Sequence, residues 1–126
     1  MRLLVVCLAG ALGTGARYLI ADAFARWLGP GFPWATLTVN VTGSFLIGLV
    51  QHAALATGAI SETTRLMLTV GVLGGFTTYS SFSYETIALA ETGAWGLAAA
   101  NVLVTTALCL GGCVLGIEAA RLLARS

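Results

Sequence analysis

Gly71-Val72-Leu73-Gly74-Gly75-Phe76-Thr77-Thr78 lies in the middle of an apolar stretch running from about Arg65 to Ala90. Paired glycines and paired threonines are poor helix formers. A helix crossing a membrane through this stretch is expected to break there, near the bilayer midplane. Irregular backbone at that depth is tolerated only where protein or a water-filled cavity surrounds it. The run therefore points to a functional path as well as to a fold. The same glycines also suit a close helix crossing, which needs small residues, and both readings stand at this point.

Three more apolar stretches surround it. The first runs from about Leu3 to Phe24 and ends at Arg26-Trp27-Leu28, before the breaker cluster Gly29-Pro30-Gly31-Phe32-Pro33. Trp27 and Trp34 flank that cluster and mark a membrane interface, the depth tryptophan favours. The second runs from about Trp34 to Ala56, and Ser61 is a plausible N-cap for the third. Glu91-Thr92-Gly93-Ala94 makes a tight loop before the fourth, from Trp95 to about Leu123, which carries the small-residue packing pair Gly112 and Gly116. With a helical span needing about 20 residues, the expectation is an all-α membrane protein with spans at about 3–26, 34–56, 65–90 and 95–123. Residues 1–126 then form a single transmembrane domain. Arg2 and the apolar run after it mimic a signal peptide, but no convincing small-residue cleavage site follows, so the run is kept as the first span.

Composition agrees. Of 126 residues, 58% are hydrophobic and only 9% charged, against roughly a quarter charged in soluble domains. So few charges would not coat a small soluble domain. A net charge of +1 leaves no electrostatic footprint for nucleic acid. Cys7, Cys109 and Cys113 lie inside apolar runs and read as small apolar fillers. His52 reads as an interfacial polar residue. No nucleophile–base pair or metal cluster suggests an enzyme. The basic residues divide four (Arg2, Arg65, Arg121, Arg125) against two (Arg17, Arg26) across the membrane, a weak bias compatible with insertion in both orientations.

Ionisable groups inside spans are functional candidates. Asp22 and Arg26, four apart, suit an ion pair on one helix face. Arg17 lies deeper, with no evident local partner; it either snorkels to the interface or supplies positive potential at an anion vestibule. Glu85 shares a face with Phe82 and is either bonded between helices or open to an aqueous mouth. Asparagine satisfies itself less readily than serine or threonine, so Asn40 and Asn101 need partners across an interface or a wet path. Asn101 and Thr105 form one polar stripe. Together with the hydroxyls of the second and third spans they make a track of neutral donors, which suits a small anion better than a cation. Tyr79 and Phe82 lie on one face just beyond the break. Such a row is usually packing, but a ring edge is positive and lines an anion path if turned inward.

The run from Gly74 to Ser83 resembles the third-helix signature of the Fluc (CrcB) fluoride channels. Gly10-Ala11-Leu12-Gly13 with Ala16-Arg17-Tyr18, and Asn40-Val41-Thr42-Gly43-Ser44-Phe45 with Gly48, are similar to that family's first- and second-helix motifs. The resemblance covers the whole chain. It implies a passive fluoride-selective channel of the bacterial plasma membrane that lets cytoplasmic fluoride out and lowers its toxicity. It implies an antiparallel, dual-topology homodimer with two pores, and a structural sodium ion held by backbone carbonyls of Gly74 and Thr77. It assigns Asn40, Tyr79, Phe82, Asn101 and Thr105 to the fluoride pore and Arg17 to its vestibule. The sequence departs from the commonest pattern at Tyr79, where phenylalanine is usual, and at Asn101, where tyrosine is often seen. The competing reading is a small four-helix proton-coupled multidrug-type exporter. That needs a central titratable carboxylate, for which only Glu85 and Asp22 are candidates.

Overall fold

The computed structural model describes residues 1–125. Its elements are α1 (Arg2–Leu28), α2 (Trp34–Thr57), α3 (Glu62–Leu66), a π-helical segment (Met67–Leu73), α4 (Gly74–Phe76), α5 (Tyr79–Glu91) and α6 (Trp95–Arg125). All of them are helical. α1, α2 and α6 are long and apolar enough to cross a membrane. Local chemistry sets their ends. Gly29 and Gly58 take positive φ of 69° and 60° just past α1 and α2, backbone that costs glycine nothing. The Gly58 amide donates back to the Ala54 carbonyl and closes the last turn of α2. Ser61 caps α3, its hydroxyl accepting from the Thr64 amide at 3.2 Å.

The burial pattern is inverted relative to a soluble protein. Leu3, Leu4, Leu8, Leu12 and Leu19 on α1, and Leu103, Leu110, Leu115, Leu122 and Leu123 on α6, are exposed. The buried positions of these helices are mostly small: Ala9 and Gly13 on α1, Ala98, Gly112, Gly116 and Ala120 on α6. Lipid tails are as apolar as leucine, so helices associate by close backbone approach rather than by hiding leucine. Cys7 follows the outward pattern and is exposed, contrary to its reading as a buried filler.

Two such approaches organise the chain. α2 packs most extensively on α6, where a Cβ at Gly48 would strike the Cys113 carbonyl and one at Gly116 the Phe45 carbonyl. α1 packs on the π-helical segment and α4. There a Cβ at Gly13 would overlap the Val72 carbonyl, and one at Gly75 the Gly10 carbonyl. Gly10, Gly13 and Arg17 share one face of α1, so the packing seam leads directly to Arg17.

Helical backbone ends at Phe76 and resumes at Tyr79. Thr77 (φ −88°, ψ 160°) and Thr78 (φ −155°, ψ 114°) are extended. The ion pairs lie at helix ends: Arg26 with Asp22 at 2.8 Å, Arg2 with Glu62 at 3.6 Å, and Arg121 with Glu118. All are largely exposed, and such pairs contribute little, about 0–1 kcal/mol each.

Candidate functional site

The extended pair Thr77–Thr78 changes where the surrounding backbone groups find partners. In an unbroken helix the Thr78 amide would donate to the Gly74 carbonyl and the Ser81 amide to the Thr77 carbonyl. Neither does. The Thr78 amide donates to Asn40 Oδ1 at 2.8 Å, and the Ser81 amide donates to Thr78 Oγ1 at 3.2 Å, the N-cap bond of α5. The carbonyls of Gly74 and Thr77 thus lose their helical donors. Other groups in the run are claimed by neighbouring helices. Arg17 Nε donates to the Gly75 carbonyl at 3.0 Å. Asn40 Nδ2 donates to the Thr78 carbonyl at 2.9 Å. The Thr77 hydroxyl turns back to the Leu73 carbonyl at 2.9 Å.

Gly74, Thr77 and Thr78 border an open groove of about 430 Å³, which Asn40, Ser44, Thr69, Tyr79, Phe82, Thr105 and Thr106 also line. The structure thereby brings Gly74, Thr77, Asn40, Tyr79, Phe82 and Thr105 to one place. No Asp, Glu, Lys, Arg or His is among the described residues that line the groove. Tyr79 is 80% exposed and Phe82 only 8%; their ring centroids are 5.5 Å apart and tilted by 49°. One ring stands over the groove and the other forms its wall.

Asn101 does not line this groove. It is buried at 1% exposure, with Nδ2 donating to Thr86 Oγ1 at 2.8 Å and Oδ1 accepting from Thr105 Oγ1 at 3.1 Å. Thr86 Oγ1 donates in turn to the Phe82 carbonyl at 2.7 Å. Asn101 therefore connects α6 to α5 behind Phe82, and of the predicted stripe Thr105 is the member that reaches the groove.

Arg17 borders a second cavity, of about 300 Å³, with Thr14, Tyr18, Thr36, Thr78, Ser81 and Glu85 among its walls. Thr36 Oγ1 donates to Glu85 Oε1 at 2.8 Å, which places Glu85 between helices; its Oε2 is buried with no partner among the described residues. Thr36 escaped sequence reasoning because a hydroxyl in a membrane helix ordinarily bonds its own preceding turn; Thr86 counted only as one of the third-span hydroxyls, with no sign that it would meet Asn101. Thr78 left a legible signal: a threonine directly before a helix suits an N-cap, and it is the N-cap of α5. Among the described residues no three His, Cys, Asp or Glu side chains converge.

Comparison with known proteins bears on this arrangement. The family model described as CrcB-like protein, Camphor Resistance (CrcB), matches residues 4–117. A curated protein of Geobacter sulfurreducens named fluoride-specific ion channel FluC is 53% identical over 119 residues, covering 94% of this chain and 96% of the relative. One of the same name from Anaeromyxobacter sp. is 52% identical over 124 residues, 98% of this chain and 95% of its own length. Another from Magnetococcus marinus is 42% identical over 123 residues and is covered in full. With the match running through every helix that borders the groove, the chain belongs to the CrcB family.

Proposed function

We propose that this protein is a fluoride-selective ion channel, a multi-pass bacterial membrane protein that conducts passively and catalyses no reaction. The observation that carries the reading is the groove lined by amide, hydroxyl and aromatic groups with no carboxylate, in a chain about half identical to proteins named fluoride-specific ion channels. A proton-exchanging carrier needs a titratable carboxylate at the centre of the substrate path; the groove has no carboxylate, and Glu85 lies in the neighbouring cavity. Fluoride efflux from liposomes holding the purified protein, run against chloride, tests the reading. Fluoride is expected to leave electrogenically while chloride is retained; equal release of both anions, or of neither, refutes it.

The segment Glu62–Glu91 is the remaining membrane crossing, interrupted at Thr77–Thr78 near the midplane. The groove beside the interruption is one face of the pore, and a second copy of this chain covers it. An isologous dimer brings the same patch of both copies together about a two-fold axis, and antiparallel insertion places the two interruptions at the same depth. A tag on the C-terminus should therefore be reachable from both sides of the membrane in comparable amounts; a single orientation in every copy eliminates this assembly.

Gly74 and Thr77 suit a sodium ion. Hard cations take oxygen ligands, and these two carbonyls have lost their helical donors to Asn40 and Thr78 Oγ1. In a dimer, these two carbonyls of each copy would be the groups that hold the ion. The ion, when bound, supplies fixed positive charge that holds the two interruptions together.

The chain's own groups do the rest. Arg17, with its Nη groups beyond the bond to Gly75, draws fluoride into the 300 Å³ cavity as a vestibule. Asn40 retains one Nδ2 hydrogen beyond that given to Thr78 and offers it to the dehydrating anion. Thr105 lines the groove with its hydroxyl hydrogen given to Asn101 Oδ1, so a hydrogen bond to the anion from Thr105 needs that bond exchanged. Phe82 and Tyr79 turn positive ring edges to the path, and Tyr79 adds a phenolic hydroxyl.

A further inference from the structure

We infer that Arg17 and Asn40 are positioning residues that select which carbonyls of the interrupted segment are left to hold a cation. The inference rests on the sodium reading above and deepens it. Interrupting a helix frees several carbonyls at once, so the interruption alone does not define a ligand set. Five carbonyls run from Gly74 to Thr78. Arg17, from α1, takes that of Gly75. Asn40, from α2, takes that of Thr78. No side chain among the described residues donates to those of Gly74, Phe76 or Thr77. The two nominated ligands thus belong to the set that the neighbouring helices leave open.

Asn40 acts twice. Its Oδ1 also withdraws the Thr78 amide from the Gly74 carbonyl. Its side-chain amide replaces a peptide group against Thr78, accepting and donating at once. Were it absent, the Thr78 amide would be drawn back to Gly74 by ordinary helical geometry, and that ligand would be consumed. Arg17 acts by bonding: its Nε occupies the Gly75 carbonyl, so that oxygen is not offered to a cation and the backbone beside Gly74 is held in place. Its position follows from the glycine seam: Gly10 and Gly13 let α1 approach α4 until Gly75 meets Gly10 and Thr14, and Arg17 arrives one turn further along. The contacts join residues 58 and 38 positions apart, so they tie two helices, α1 and α2, to one interruption.

The test uses the full chain in detergent micelles, in its own oligomeric state. Thermal unfolding is followed as sodium chloride replaces N-methylglucamine chloride at constant ionic strength. The unsubstituted protein is expected to gain Tm with sodium. Arg17→Gln and Asn40→Ala are each expected to raise the half-stabilising sodium concentration by about tenfold, or about 1.4 kcal/mol, while Arg17→Lys, which retains a donor, falls between. A merely structural role would lower Tm equally with and without sodium and leave that concentration unchanged, which overturns the inference alone. No sodium-dependent stabilisation of the unsubstituted protein overturns the cation reading, and this inference with it. If the variants do not fold, amide exchange in the unsubstituted protein decides. Thr78 is expected to be protected because Asn40 Oδ1 holds its amide, and exchange there at the rate of an open loop overturns the proposal.

Discussion

Phe82→Ile is expected to fold and assemble like the parent protein yet lose fluoride flux by about 30-fold, while Tyr79→Phe conducts near the parental rate. Phe82 is a buried wall of the groove, 8% exposed, so an apolar replacement of similar size should cost no more than about 1.5 kcal/mol of stability. Its ring edge is a different matter. An anion that has shed water gains from the positive rim of a ring, and isoleucine has no quadrupole to offer. Taking the desolvated cation–ring interaction, about 2 kcal/mol, as the scale, its loss raises the barrier by a factor of about 30. Tyr79→Phe removes only a hydroxyl from an 80% exposed ring and keeps the edge. Electrogenic efflux from liposomes reads the flux and size-exclusion elution reads the fold. A freely conducting Phe82→Ile returns the aromatic pair to packing and moves the anion path to the hydroxyls alone.

Gly13→Ala is expected to be the most destructive single-methyl change in the chain, and Gly15→Ala, two residues away, to be harmless. A Cβ at Gly13 would overlap the Val72 carbonyl and lie 3.0 Å from the Phe76 amide nitrogen. Both are backbone atoms, which cannot rotate aside as a side chain does. Over-packing of this kind costs about 3 kcal/mol or more, and here it also separates α1 from the segment whose interruption Arg17 braces. At Gly15 a Cβ meets nothing within 4 Å, so the change brings only the helix-propensity gain of alanine over glycine, about 1 kcal/mol. Thermal unfolding of the two variants side by side separates them. If Gly13→Ala melts with the parent, the close approach of α1 to the π-helical segment is wrong. Fluoride flux should follow the same order, because the seam at Gly13 carries the bond from Arg17 to Gly75.

The helices were legible because their signals are local. Apolar runs bounded by Gly29-Pro30-Gly31-Phe32-Pro33, Thr57-Gly58 and Glu91-Thr92-Gly93 set the ends of α1, α2 and α5 to within a few residues, since a helix in lipid has no other way to satisfy its backbone. The Asp22–Arg26 pair was legible for the same reason: residues four apart on a helix are neighbours whatever the fold. The neutral, polar and aromatic character of the groove was legible too, as the amide of Asn40, the hydroxyls of Thr77 and Thr105 and the rings of Tyr79 and Phe82 are properties of side chains.

The sequence by itself thus determined that the chain is helical, that it belongs in lipid, and which residue types lie available for an anion. The tertiary structure alone decided what those residues touch. Arg17, without a partner along its own helix, meets the Gly75 carbonyl. Asn40 spends most of its amide on Thr78 rather than on open space, and Asn101 turns away from the groove to Thr86. The π-helical turns of Met67–Leu73 also left no specific local signal: Gly71 and the β-branched Thr69, Val70 and Val72 weaken a helix without saying that its bonds shift to wider turns. Periodicity reports which residues share a face of one helix. Which carbonyl a side chain reaches on another helix depends on how closely the two backbones approach, and glycines such as Gly13 and Gly75 permit an approach without specifying its partner.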